Sequence, residues 1–185
     1  MSADRAAVVA AVEGRVANVN LRRHMLATEA IMRALAARLG EDPDVWGLAG
    51  LVHDLDVEET EGDAAHHGTV AADAARDLGL PGEAAHAISA HNPQTGVVAT
   101  TRLDVGLIAA DQLSGLVTAA ALVRPDKDLA GVKAKSVRKR YREGAFARGV
   151  DRESIARCAE LGLELDDFLL LGLEAMQGVA AALGL

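Results

Sequence analysis

The sequence predicts an all-α fold, a single helical domain, and three observations lead there. Apolar residues recur at helical spacing along most of the chain, with no convincing alternating strand pattern. Proline, glycine and capping residues interrupt that pattern at helix-length intervals. Apolar residues make up 50% of the 185 residues and aromatics only 2%, so small aliphatics must fill the core, which suits closely packed helices. This length fits one domain with one sizeable core, and no repeat, low-complexity tract or linker divides residues 1–185.

The elements follow in order. Leu21, Met25, Thr28, Met32, Leu35 and Leu39 form a helical stripe that Gly40 stops. Asp42-Pro43 supplies an N-cap and a first-turn proline for a second helix through Trp46, Leu48, Leu51 and Val52 to His53-Asp54. The acidic stretch Asp56 to Asp63 reads as a loop. A third helix is expected from His67 to Leu78, ending at Gly79, and Pro81 opens a fourth that reaches His91. Asn92-Pro93 and Gly96 mark a loop. Thr101 with Asp104 resembles a capping box and opens a long helix through Asp111 to Val123, stopped before Pro125. A basic segment, 124–148, follows, and residues 151–183 are helical with an interruption near Gly162.

Composition narrows the function classes. The net charge of -8 argues against a general nucleic-acid binder and against anionic membrane. Cys158 is the only cysteine, so no intramolecular disulfide can form and a reducing compartment is the simplest reading. The run Ala6 to Val12, after Arg5 and closed by Glu13, is short for a signal peptide and lacks a clear cleavage site. No stretch approaches the ~20 uncharged apolar residues of a membrane span. The expectation is a soluble, cytoplasmic protein. Its alanine-rich helical surface could support a homodimer.

The candidate site is the adjacent pair His53-Asp54 with His24, His67, His91 and Asp111. Helix geometry predicts that they converge. From His24 to Leu39 a helix rises about 22 Å, and the return from Pro43 to Asp54 retraces about 17 Å. The next hairpin goes out about 17 Å from His67 and returns about 15 Å to His91. Two such hairpins side by side present these groups at a common end, and Asp111 on the long helix could complete the set. His67 is preferred over His66 because Gly68 after it permits a close approach. His86, five residues before His91, faces elsewhere and reads as structural or as a support behind the ligands.

Four imidazoles and two carboxylates suit divalent Mn, Fe, Co, Ni or Zn, and suit calcium or magnesium poorly. Six ligands are many for one ion with an open position, so two ions are expected, with Asp54 offering one oxygen to each. Two divalent ions against two carboxylates leave a positive site that attracts phosphate and lowers the pKa of bound water toward ~7.

The ordered set His24, His53-Asp54, His67, His91 and Asp111 resembles the metal-binding signature of the HD superfamily. The local contexts "LAGLVHDLD", "HHGTVAA", "AISAHN" and "IAADQLSG" agree with it, and the resemblance covers roughly residues 20–115. It implies an all-α helical HD-domain bundle and a metal-dependent phosphohydrolase, a phosphatase or phosphodiesterase acting on a nucleotide or other small phosphate ester. By that resemblance His24, His53, Asp54 and Asp111 hold a first ion. His67 and His91 hold a second, with Asp54 bridging as the catalytic carboxylate, and metal-bound hydroxide attacks in line with the leaving oxygen. The superfamily also includes di-iron oxygenases, and the phosphonate-cleaving kind carries a tyrosine and a glutamate shortly before the first histidine. This chain has no tyrosine before His24; its only one is Tyr141. A non-catalytic metal-binding HD module is the third reading.

The basic segment is the other clear signal. Residues 124–148 hold nine basic and three acidic residues, a net +6, so the remainder of a chain of net charge -8 carries -14. One reading is a solvated helix face. The other has Lys135, Arg138 or Lys139 fold over the metal site and bind the phosphate of a small substrate. A single-stranded nucleic-acid surface would need several stacking aromatics, and only Tyr141 and Phe146 are near.

Overall fold

The computed structural model describes residues 3–185, and among these the regular structure is entirely helical. The helices are α1 (Arg5–Arg15), α2 (Val19–Leu39), α3 (Pro43–Val52), α4 (Thr69–Asp77), α5 (Gly82–Ala90), α6 (Arg102–Leu122), α7 (Ala134–Arg142), α8 (Arg152–Ala156), α9 (Leu165–Gln177) and α10 (Ala180–Leu183). Short 3-10 turns lie at Pro93–Thr95, Leu129–Gly131 and Arg157–Leu161.

Local chemistry sets the ends. The Asn18 side chain accepts from the amides of Asn20 and Leu21 to start α2, and Gly40 closes that helix in the left-handed region at φ 75°. Asp42 caps α3 from the amides of Asp44 and Val45, with Pro43 in the first turn. The Thr101–Asp104 capping box is complete: Thr101 Oγ1 accepts from the Asp104 amide at 3.1 Å, and Asp104 Oδ2 accepts from the Thr101 amide at 2.9 Å.

The long α6 is the central post, touched by α2, α3, α5, α7, α8 and α9. It is long and apolar enough to cross a membrane, with a mean hydropathy of 1.5 in its most apolar stretch, but 61% of that stretch is buried inside the protein. Such a helix is what a domain built around one core element requires. Leu107, Leu113, Leu116 and Val117 of α6 share one core with Met25, Ile31 and Leu35 of α2 and Phe168 of α9, all fully buried. Each such side chain contributes roughly 1.5–3 kcal/mol through burial. The α4–α5 hairpin packs through Ala71, Ala72, Ala75, Ala84, Ala85 and Ala87, all inaccessible, which explains how a core nearly free of aromatics closes.

Two elements differ from the sequence expectation. The third helix starts at Thr69 rather than His67, because Gly68 adopts φ 90°, outside the right-handed helical region. His67 therefore sits on the loop leading into α4. The basic segment holds a 3-10 turn and the helix α7, which buries only Val137 and packs on α6 and α9. The expected interruption lies at Gly162, φ 78°, and a second falls at Gly178 and Val179, between α9 and α10.

Candidate metal centre

His24 projects from the second turn of α2, His53 and Asp54 follow the end of α3, His91 follows the end of α5, and Asp111 lies midway along α6. The structure brings these residues and His67 to one place. His24 Nε2 lies 3.0 Å from Asp111 Oδ1 and 3.5 Å from Asp54 Oδ2. Nε2 of His53, His67 and His91 lie 3.2, 3.4 and 3.4 Å from Asp54 Oδ1. Asp54 is the hub, one oxygen toward His24 and the other toward the remaining three imidazoles. Two compact trios of possible ligands result, His24–His53–Asp111 and His53–Asp54–His91. The cluster is open on one side: the His53 side chain is inaccessible, while those of His24 and His67 are 25% and 23% exposed.

The far nitrogen of every imidazole is tied, and this fixes which nitrogen faces the centre. His53 Nδ1–H donates to the Gly50 carbonyl at 2.8 Å, and His91 Nδ1–H to the Ile88 carbonyl at 2.6 Å. A carbonyl can only accept, so the proton is on Nδ1 and the Nε2 lone pair points inward. His67 Nδ1–H donates to Asp56 Oδ1 at 2.8 Å. The Ser114 hydroxyl donates to the Asp111 carbonyl at 2.8 Å, so its oxygen accepts from His24 Nδ1–H at 2.9 Å. Metal-ligating histidines are oriented in this way by outer hydrogen bonds.

The centre demands positive charge. Burial raises the pKa of Asp54, but His53, His24 and His91 outweigh it and hold the carboxyl well below its ordinary range. Burial likewise opposes ionisation of Asp111, and His24 and His53 reverse that effect. His24 loses by desolvation yet is raised to about 10 by Asp111 and Asp54. His91 is raised in the same way, by Asp54 and then Asp111 against desolvation. His24 Nε2 and His53 Nε2 face each other at 3.3 Å. Two lone pairs so placed, beside two carboxylates, repel unless a cation lies among them. A proton on His24 meets part of that demand, and divalent ions would meet it for the whole set. The donors therefore fit a metal of the nitrogen-and-oxygen-binding kind.

Three polar residues that support the centre lie outside the expected set. Asp56 is 1% exposed, orients His67, and accepts from the amides of Gly68 and Ala71, each at 2.8 Å. Gly68 is itself closely enclosed: a Cβ there would stand 2.9 Å from the Ile88 carbonyl oxygen and 3.3 Å from the His91 ring. Ser114 orients His24, as described above. Gln112 donates to Asp111 Oδ2 at 2.7 Å and accepts from the Asp151 amide at 2.8 Å, which leaves Asp111 Oδ1 to face the histidines. His66 is exposed and bonds Asp63, and His86 faces Asp104 at 3.1 Å, so neither joins the cluster.

The cationic residues of α7 lie elsewhere. Arg138 pairs with Asp166 at 3.2 Å, Lys139 stands 3.7 Å from Glu143, and Lys135 is exposed. None of the three bonds to the cluster. Cys158 is buried, and desolvation pushes its thiol up to about 11, as expected of a core residue rather than a reactive one.

Comparison with known proteins gives one result. Residues 21–116 match the family model described as the HD domain, a span of just over half the chain that includes all six clustered residues. Neither the curated proteins nor the solved structures returned a match. With His24, His53-Asp54, His67, His91 and Asp111 gathered inside the matched span, this chain belongs to the HD domain family.

Proposed function

We propose that the protein is a metal-dependent phosphohydrolase, a phosphatase or phosphodiesterase, that acts on a small phosphate ester with two divalent transition-metal ions at this centre. The observation that carries the reading is the position of Asp54. Its two oxygens face different imidazoles, Oδ2 toward His24 and Oδ1 toward His53, His67 and His91, as a bridging carboxylate requires. Membership of a family composed mostly of metal-dependent hydrolases supports the same chemistry.

In this reading His24, His53, Asp54 and Asp111 hold one ion, and His67 and His91, sharing Asp54, hold the other. When bound, the ions supply Lewis acidity and make water acidic enough to react near neutral pH. The chain's own residues do the rest. Asp56, Ser114, Gln112 and the carbonyls of Gly50 and Ile88 hold the ligands in one orientation, so little reorganisation accompanies binding. The exposed edges of His24 and His67 leave an approach for substrate. Only two carboxylates oppose two divalent charges, so the loaded site stays positive and favours a phosphoryl group.

Purified protein loaded with Mn, Fe, Co, Ni or Zn and assayed on nucleotides and phosphomonoesters should release phosphate. Asp54→Ala should lower that rate by at least about 1000-fold, because it removes a ligand of both ions. No phosphate release under any loading, with oxygen uptake by the reduced iron form, would instead favour the oxygenase chemistry.

A further inference from the structure

A cavity of about 530 Å³ opens beside the candidate metal centre and touches it at His24. Its volume lies in the range of small-ligand sites and far exceeds what one phosphate group occupies. The walls come from three parts of the chain: Asn20, Arg23 and His24 of α2, Thr118 and Ala119 of α6, and the α10 end near Gly184. The surface is mostly apolar, and its polar side chains are Asn20, Thr118, the His24 imidazole and a single guanidinium, Arg23.

That guanidinium is the informative group. Arg23 is exposed and, like Arg15, Arg22, Arg38, Arg142 and Arg148, has no side-chain hydrogen bond or ion pair among the described residues; its place on the cavity wall beside His24 sets it apart. Arg23 lies across Gly184, whose φ is 69°, and a Cβ at that position would collide with Nη2 and Cζ. The glycine leaves the space that the arginine occupies. A solvent-accessible guanidinium with no carboxylate partner, on the wall of a mostly apolar cavity and one residue from His24, is free to bind an anionic group that enters there.

We propose that this cavity is the recognition pocket for the organic part of the substrate and that Arg23 binds a second anionic group on it. The substrate is then a phosphate ester on a short, largely apolar skeleton that also bears a carboxylate or another phosphate. The assignment rests on the phosphohydrolase reading for the reacting phosphate, while Arg23 recognition can be measured without turnover.

The test uses two non-hydrolysable probes, (4-carboxybenzyl)phosphonate and benzylphosphonate, titrated calorimetrically into the full chain loaded with Mn or Zn. Wild-type protein should bind the carboxylated probe at least about tenfold tighter, the usual scale of a charge-assisted pair. Arg23→Gln, with metal content checked, should erase that ratio. Ala119→Leu, which reduces the cavity from the α6 side, should weaken both probes together. A wild type with no preference, or an Arg23→Gln variant that keeps it, overturns the proposal. Phosphatase assays of 4-carboxyphenyl phosphate against phenyl phosphate separate the two readings. Preferential binding without hydrolysis of either ester upholds the pocket and removes the phosphohydrolase assignment. Hydrolysis of both esters with equal KM removes the pocket and keeps the chemistry.

Discussion

Asp56 shows what a single residue contributes here. It opens a run that includes Glu58, Glu59, Glu61 and Asp63, and its composition marks it as solvated loop. In the structure its carboxyl is buried, with one oxygen on His67 Nδ1 and the other on the amides of Gly68 and Ala71. Burial raises its pKa, and His67 with the two amides more than reverses that, so it stays ionised and can only accept. Asp56→Ala should leave the His67 ring unanchored and weaken metal affinity by about 10–100-fold while the other five ligands stay in place. A competitive chelator titration checks this, and unchanged affinity would show that His67 needs no such anchor. The six clustered residues were legible as a group, since metal-capable side chains stood out and helix rise paired His24 with His53-Asp54 and His67 with His91, with Asp111 on the long helix able to complete the set. Asp56, Ser114 and Gln112 were not legible. Their roles depend on partners 11, 90 and 39 residues away, and serine, glutamine or an acidic loop residue has many ordinary uses.

Among the elements, α6 depends most on a local signal. The Asp104 side chain caps it from the amides of Thr100 and Thr101 and also meets His86 at 3.1 Å. Burial raises this carboxyl's pKa, and the two amides, His86 and the Thr101 hydroxyl hold it below its ordinary value. A depressed folded-state pKa contributes stability that is present above the unfolded value near ~3.9 and lost as pH falls through the folded value. Asp104→Asn should therefore cost about 1–3 kcal/mol at pH 7, and its gap from wild type should narrow below pH ~4. Urea unfolding followed by circular dichroism at pH 7 and pH 3.5 measures the gap, and an equal gap at both would contradict the charged cap. The Thr101–Asp104 box was legible because both partners lie within one helical turn. Helix α7 was not, since Lys, Arg and Ser surround the single buried Val137 and give no apolar stripe to read. The start of the third helix was missed by two residues, because the turn at Gly68 is set by the buried Asp56 and by Ile88, not by neighbours in sequence.

At the scale of the whole molecule, the cluster ties α2, α3, α5 and α6 together at one end of a core made of small side chains. The alanine faces let helices approach closely, and the ligands come from points as far apart in sequence as His24 and Asp111. The cavity at His24 and the open edge at His67 leave that end accessible, while α7, with its unpaired cations such as Lys135, rests on α6 and α9 away from the cluster's bonds. The account therefore turns on whether six side chains act as one cation-binding unit. Elemental analysis of protein dialysed after loading with Mn, Fe, Co, Ni or Zn answers this most directly. The expected result is about two ions per chain for wild type, about one for a His67→Ala, His91→Ala double variant and none for Asp54→Ala, each variant retaining its helical circular dichroism. A folded wild type that retains no metal, or an Asp54→Ala variant that retains both ions, would contradict it.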